Sequence, residues 1–227
     1  EGARAMSATT ASAGGVVPNR TLVTVCAMAA TLMQALDGTI ANVALPYMQG
    51  GLSATADQVT WVLTSYIVAA AILTSPVGAL AARYGRKRIF LISVGGFTAA
   101  SVLCGAAQSL EQMVLFRLLQ GAFGAALVPL SQSTMLDIYP PAQRGSAMAV
   151  WGMGVMLGPI LGPTLGGYLT ETYNWRWVFY VNLPVGLFAF AGLWVFLEDD
   201  RPGHGRSFDW FGFTALSIGI GALQLML

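Results

Sequence analysis

Charged side chains are scarce in this chain of 227 residues: they make up 9% of it, whereas hydrophobic residues make up 56%. Soluble domains carry about 25% charged residues, so this sequence has too few charges to cover a surface that faces water. Apolar runs recur along the chain, and most of the charges fall between them. The composition therefore excludes a soluble globular domain and predicts a membrane protein.

The residues that build metal sites and disulfides are almost absent. The chain has one histidine, His204, and two cysteines, Cys26 and Cys104. A lone histidine beside Pro202 and Gly203 predicts no metal site, and no other cofactor is expected. The cysteines fall in different apolar runs, which predicts apolar filler and no disulfide. A membrane enzyme is thus the least favoured class, and the net charge of +1 gives no reason to expect a nucleic-acid partner.

Six apolar runs are each long enough to cross a bilayer, for which a helix needs about 20 residues. The runs are Leu22–Leu45, Trp61–Ala81, Ile89–Ala107, Leu110–Leu130, Gly145–Leu169 and Trp177–Leu197. A seventh begins at Trp210 and is still apolar at Leu227. The prediction is an all-α membrane protein: a cytoplasmic tail over 1–21, a six-helix bundle over 22–197, a cytoplasmic linker over 198–209 and the start of a seventh helix over 210–227.

The two ends of the chain lead to separate expectations. Leu227 closes an apolar run that has no charged flank, which predicts a fragment of a longer protein. Met6 resembles a natural start, so residues 1–5 are expected to be an upstream addition. A competing interpretation takes Leu22–Leu36 as a signal peptide, but the five further spans disfavour it.

A short basic loop between the second and third runs determines the predicted orientation. Lys and Arg near the ends of spans are retained on the cytoplasmic side. With the N-terminus inside, only Arg176 falls in an outer loop, and Arg117 lies within a span. The other cations all fall in cytoplasmic segments: Arg4, Arg20, Arg83, Arg86, Lys87, Arg88, Arg144, Arg201 and Arg206.

Two charges lie inside predicted spans, Asp37 in the first and Arg117 in the fourth. A charge at such a depth costs about 2.5 to 3.5 kcal/mol, so it should face a partner or a water-filled cavity. At about 1.5 Å per residue, Asp37 lies about 8 Å and Arg117 about 10 Å below the outer surface. Two interpretations remain open: a structural ion pair that locks two helices, and a titratable carboxylate whose protonation is coupled to substrate binding.

Uncharged polar residues on the same two spans are candidates for a substrate cavity. They are Gln34 and Asn42 in the first span and Gln120 in the fourth. Such side chains can hydrogen-bond a substrate or one another, and the sequence leaves both interpretations open.

Glycine recurs every fourth residue in the fifth span, at Gly154, Gly158, Gly162 and Gly166. This spacing predicts a smooth strip on which another helix can pack closely. The same segment contains Pro159, Pro163 and Gly167, and its prolines are expected to bend the helix. A purely structural packing face and an interface that changes between transport states are both compatible with this pattern.

Taken in order, these segments resemble the signatures of the major facilitator superfamily, and more narrowly of its drug:proton antiporters with fourteen spans. The loop Gly78–Arg88 resembles the signature between helices two and three. Leu36–Pro46, Arg117–Gly121 and Gly154–Gly167 resemble those of helices one, four and five. Two further stretches resemble the start of helix six and the lead-in to the extra seventh helix: Trp175–Pro184 and Phe208–Gly212.

The resemblance implies the N-terminal half of a carrier, built as a three-plus-three inverted repeat. Proton coupling is expected at Asp37 and Arg117, and the helix-five segment is expected to form the antiporter interface. Gating is expected at the basic loop together with Asp137, and its residues are Gly78, Arg83, Gly85, Arg86, Lys87 and Arg88. One position departs from the family: Ala82 stands where the loop usually carries an acid, which leaves Arg86 and Asp137 as a candidate residual ion pair.

The expected function is therefore proton-coupled efflux of amphipathic small molecules across the inner membrane by alternating access. The expected partners are the substrate, protons and membrane lipid, with a periplasmic adaptor and an outer-membrane channel as further candidates. An exporter or symporter of one metabolite or siderophore, and a receptor or scaffold that does not transport, are the alternatives. The substrate itself is not predictable from the sequence.

Overall fold

The computed structural model describes residues 19–199 and 210–226, and all regular secondary structure in these two stretches is helical. Residues 1–18, 200–209 and 227 lie outside the described part. The predictions on Met6, His204, most of the linker and most of the N-terminal tail therefore concern residues that are not described.

Six helical segments are long and apolar enough to cross a membrane, as the sequence predicted. The first is α1 (Arg20–Gly51), and the second comprises α2 (Ala56–Val59), α3 (Trp61–Thr74) and α4 (Val77–Tyr84). The third is α5 (Arg86–Ala106), and the fourth comprises α6 (Leu110–Gly124) and α7 (Leu127–Ile138). After a 3₁₀ turn (Pro141–Gln143) come α8 (Arg144–Thr172) as the fifth, α9 (Trp177–Tyr180) with α10 (Asn182–Phe196) as the sixth, and α11 (Trp210–Met226).

Several helices extend beyond the apolar runs that predicted them. α1 continues past Leu45 to Gly51, and the fourth span continues past Leu130 to Ile138. An apolar run marks only the part of a helix that lies in hydrocarbon, whereas backbone hydrogen bonds continue the helix into the interface. The sequence therefore placed the spans correctly but underestimated the lengths of these helices.

Three spans are interrupted beside a proline. Pro76 lies between α3 and α4, while Pro129 and Pro184 are the third residues of α7 and α10. The proline ring lacks an N–H and collides with the carbonyl four residues earlier, so it favours the first turn of a new helix. The sequence analysis drew these spans as continuous, so the interruptions are a correction.

The first span is the centre of the bundle. α1 packs against α8 on one side and α10 on the other, while α6 packs against α3 and α5. Three apolar clusters form the interior of the described part, and the two larger clusters include Met33 and Phe97 in one and Leu36 and Cys104 in the other. Asp37 directly follows Leu36 on α1, so the polar site lies next to the boundary between the two clusters.

Candidate functional site

Asp37 and Arg117 form a buried ion pair between the first and fourth spans. Arg117 Nη1 lies 2.6 Å from Asp37 Oδ2, and the two side chains are 1% and 0% exposed. The structure thus brings together the two charges whose similar depths the sequence predicted. At this burial each charge depends on the other, because removing one partner of a buried pair costs about 3–5 kcal/mol.

The Asp37 carboxylate accepts hydrogen bonds from two further amides. Gln120 Nε2 donates to Oδ1 over 2.8 Å, and Asn182 Nδ2 donates to the same oxygen over 3.0 Å. Gln120 also accepts a bond of 2.8 Å from Arg117 Nη1 through its Oε1. Both Asp37 oxygens are therefore engaged by donors, an arrangement that suits an ionised, acceptor-only carboxylate.

A second layer of hydrogen bonds extends this site to other spans. The second amide hydrogen of Asn182 is directed at Ser101 Oγ, 2.9 Å away in α5, and Ser101 Oγ donates to Phe179 O over 2.8 Å. Arg117 Nε donates to Val62 O in α3 over 3.1 Å. Five of the six spans thus contribute to one network around the ion pair, and only the fifth does not.

The guanidinium of Arg117 is also held by aromatic rings. Its central carbon lies 4.4 Å from the ring centre of Tyr66 and 5.6 Å from that of Phe179, distances at which cation–π attraction operates. Three buried polar atoms nearby have no hydrogen-bond partner within the described stretches: Gln34 Oε1, Tyr66 Oη and Arg117 Nη2. These atoms could therefore form hydrogen bonds to a polar group that enters the site.

The three predicted cavity residues have different positions. Gln120 lies inside the network and is fully buried, while Gln34 lies one helical turn before Asp37 with its amide oxygen unpaired. Asn42 is exposed and donates to Gly38 O of its own helix over 2.7 Å. Only Gln34 and Gln120 are therefore near the ion pair.

The basic loop connects α4 to α5 through Gly85, whose φ of 90° lies in the left-handed region that favours glycine. Arg86 forms an ion pair with Asp137, and its Nη1 donates to Ser133 O over 3.3 Å, so the start of α5 is attached to the end of α7. The Arg86 and Asp137 side chains are 24% and 54% exposed, and an ion pair at such a site contributes about 1 kcal/mol or less.

The remaining residues of the loop differ in exposure. Gly78 and Ala82 are exposed, and Arg83 lies with its guanidinium carbon 5.5 Å from the ring centre of Tyr84. Lys87 Nζ lies 3.6 Å from Asp199 Oδ1, and Arg88 is exposed. The structure therefore brings Arg86 to Asp137 and leaves Arg83 and Arg88 exposed, while the Lys87 side chain is only 16% exposed.

The glycine strip of α8 faces α1. A Cβ added at each glycine would contact a residue of α1, namely Met28 from Gly154, Ala35 from Gly158, Thr39 from Gly162 and Val43 from Gly166. Thr39 Oγ1 lies 3.2 Å from Gly158 O, as expected where two backbones approach closely. Pro159 and Pro163 are exposed beside the strip, and a Cβ at Gly167 would meet nothing within 4 Å.

The sequence analysis missed Asn182 and Ser101 as members of the site. Asn182 is a polar residue at the start of an apolar span, so the criterion that selected Asp37 could have selected it as well. Ser101 gives no such signal, because a serine hydroxyl can bond within its own helix. Among the described residues, no group of three or more His, Cys, Asp or Glu is placed to hold a metal ion.

Comparisons with known proteins give one consistent family. Residues 27–223 match the family described as Major Facilitator Superfamily. The chain is 45% identical over 208 residues to the multidrug export protein EmrB of Haemophilus influenzae, which covers 91% of this chain and 41% of that protein. It is 44% identical over 199 residues to the fatty acid resistance protein FarB of Neisseria gonorrhoeae, covering 87% of this chain and 39% of that protein.

A solved structure with the same fold is a peptide transporter POT in complex with sulfate, with a TM-score of 0.72 and 16% identity. That comparison covers 90% of this chain and 44% of the transporter. The chain thus spans about two fifths of the length of the curated relatives that it matches.

Proposed function

Because the chain belongs to the major facilitator superfamily, we propose that it forms part of a proton-coupled exporter of amphipathic small molecules. The exporter works by alternating access in the inner membrane, with the N-terminus of this chain in the cytoplasm. The buried Asp37–Arg117 pair and its amide donors carry this proposal. Charges inside membrane spans are costly, and they mark ion or substrate pathways.

The geometry around Asp37 supports a coupling between protonation and helix packing. Arg117, Gln120 and Asn182 all donate to its carboxylate, from the fourth and sixth spans. A protonated carboxyl carries a donor of its own and accepts fewer bonds, so protonation would leave Arg117 without a counter-charge and loosen α1 from α6 and α10. A proton can thereby shift the balance between two packings of the bundle, as alternating access requires.

Support for the substrate class comes from the relatives. One of them is named multidrug export protein EmrB, and another is named fatty acid resistance protein FarB. A fatty acid has an apolar body with a polar end, and the unpaired atoms near Arg117 can bind such an end. The compounds tested for transport should therefore include an amphipathic carboxylate. An exporter in the inner membrane of a two-membrane cell would further require a periplasmic adaptor and an outer-membrane channel.

Proton-driven uptake into everted membrane vesicles tests the proposed function. Vesicles that contain the full-length gene product should accumulate a fluorescent amphipath when respiration acidifies their interior, and a protonophore should release it. Addition of a transported compound should also release protons, which a pH-sensitive dye inside the vesicles reports. Accumulation no greater than in vesicles without the protein would favour a receptor or scaffold instead.

Asn182 is expected to hold Asp37 in position for coupling. Asn182→Leu removes the donors to Asp37 and Ser101, and transport should fall about tenfold or more, because a bond to a charged group contributes about 1.5–3 kcal/mol. The dependence of transport on external pH should also shift, a result that a purely structural role would not produce.

Ser101→Ala is the matched variant for this experiment. It removes the outer bond of Asn182 but leaves the bond to Asp37 in place, so a smaller loss of transport and an unchanged pH profile are expected. Equal effects of the two variants would show that Asn182 acts through packing and not through the carboxylate.

A further inference from the structure

A groove of about 600 Å³ opens between the third and sixth spans, at the end of α5 that begins with the basic loop. Lys87, Arg88 and Asp199 lie at its mouth, and its walls come from Leu91 and Ile92 of α5 and from Phe190 and Trp194 of α10. It is separate from the Asp37 site, which lies inside the bundle. The function proposed for the Asp37 network therefore does not explain this groove.

Two glycines, Gly95 and Gly96, lie along the groove. A Cβ at Gly95 would lie 3.3 Å from the Phe190 ring in the groove wall, whereas a Cβ at Gly96 would collide with the Phe123 ring of the fourth span. Around them, Ile92 and Trp194 are 58% and 62% exposed. From Lys87 to Gly96 the helix rises by about 13 Å, so a narrow apolar trough extends from the charged mouth into the depth of the membrane.

The mouth carries more positive than negative charge. Lys87, whose side chain is 16% exposed, lies 3.6 Å from Asp199, whose side chain is 82% exposed, so solvent reaches the pair from the Asp199 side. Arg88 is exposed, and none of the ion pairs between described residues includes it. A guanidinium can donate two parallel hydrogen bonds to a phosphate, which an ammonium cannot.

We propose that this groove binds an anionic phospholipid, with its phosphate at Lys87 and Arg88 and one acyl chain against Leu91, Gly95 and Trp194. The cations lie at the membrane surface, where the phosphate of such a lipid lies, and the apolar trough lies deeper, where its acyl chains lie. Basic pockets between membrane helices on the cytoplasmic side are suited to anionic head groups. The proposal requires a membrane-embedded bundle and does not depend on transport.

The test measures phosphatidylglycerol bound to the full-length gene product. The protein is reconstituted in nanodiscs of phosphatidylcholine with or without phosphatidylglycerol, and retained lipid is counted by native mass spectrometry alongside thermal stability. The unmodified protein should retain phosphatidylglycerol and melt at a higher temperature when it is present. Lys87→Gln/Arg88→Gln should weaken retention about thirtyfold, since each cation near a membrane surface contributes about 1 kcal/mol.

Two further variants separate this site from general surface charge and from the head group alone. Arg20→Gln/Arg144→Gln removes the same charge on the same membrane face, outside the groove, and should leave retention unchanged. Ile92→Trp fills the trough from an exposed position and should reduce retention even though both cations remain. Soluble glycerol phosphate should not stabilise the protein.

Three results would overturn the proposal. Equal losses in the two double variants would mean that only surface charge attracts the lipid. Full retention in Ile92→Trp would mean that no acyl chain enters the groove. Absence of any effect of phosphatidylglycerol on the unmodified protein would mean that another part of the polypeptide covers the groove.

Discussion

Asp37→Asn is expected to abolish proton-driven transport, while the protein still inserts and folds. Asparagine has nearly the shape of aspartate but cannot take up or release a proton, and its amide group would face donors from Gln120 and Asn182. Arg117 would keep its charge without a counter-charge, so a lower thermal stability is expected as well. Efflux activity in everted vesicles and thermal stability in detergent measure the two effects separately.

The double variant Asp37→Asn/Arg117→Gln distinguishes the two interpretations of the ion pair. It removes the buried cation together with the buried anion, and replacing both charges of such a pair is often tolerated. If the pair only locks α1 to α6, the double variant should recover stability and transport together. If Asp37 carries the proton, stability should recover while proton-driven transport stays absent.

Asp57→Asn provides the control for this series. Asp57 is an exposed acid in α2, at the start of the second span, and it has no ion pair among those of the described residues. This substitution should leave transport and stability unchanged. Unchanged transport in Asp37→Asn itself would remove Asp37 from the mechanism.

Gly158→Ala is expected to have the second largest effect, because Gly158 lies where the backbones of α1 and α8 are closest. An added Cβ would lie 2.5 Å from Ala35 Cβ, 2.9 Å from Ala35 C and 3.1 Å from Leu36 N. Two of these atoms belong to the backbone and cannot rotate away, so the helices must separate. Forcing extra volume into a packed interior costs about 1–3 kcal/mol.

The same displacement would reach the Asp37–Arg117 pair, since Asp37 follows Leu36 directly on α1. We therefore expect Gly158→Ala to lower both the melting temperature and the rate of proton-driven efflux. Gly152→Ala is the matched control on the same helix, because a Cβ there would meet nothing within 4 Å. Equal stability and activity in the two variants would show that the close approach of α1 and α8 has no importance.

The sequence predicted the parts of the molecule that depend on the membrane. Six spans follow from hydrophobic length, and the similar depths of Asp37 and Arg117 follow from the rise of a helix, so both could be derived without tertiary contacts. The four-residue spacing of glycine likewise predicted a smooth face on α8. In each case the thickness of the bilayer or the period of the helix determines the spacing of residues, so a short stretch of sequence is enough to reveal it.

The sequence could not provide the features that depend on which helices become neighbours. Asn182 and Ser101 join the site because α10 packs against both α1 and α5. No local sequence pattern encodes that arrangement. The position of Arg86 beside Asp137 was a candidate because of family resemblance, not because of spacing. The groove between α5 and α10 is likewise a property of two spans that are distant in sequence.

The interruption of the fourth span at Ala125 and Ala126 has a mechanical consequence. Arg117 belongs to α6 on one side of it, and Asp137 belongs to α7 on the other. The buried ion pair and the surface ion pair therefore belong to two separate helices, which a two-residue connection joins. A tilt of α6 therefore has two routes to the basic loop: along the fourth span through Ala125 and Ala126, and directly through the packing of α6 against α5.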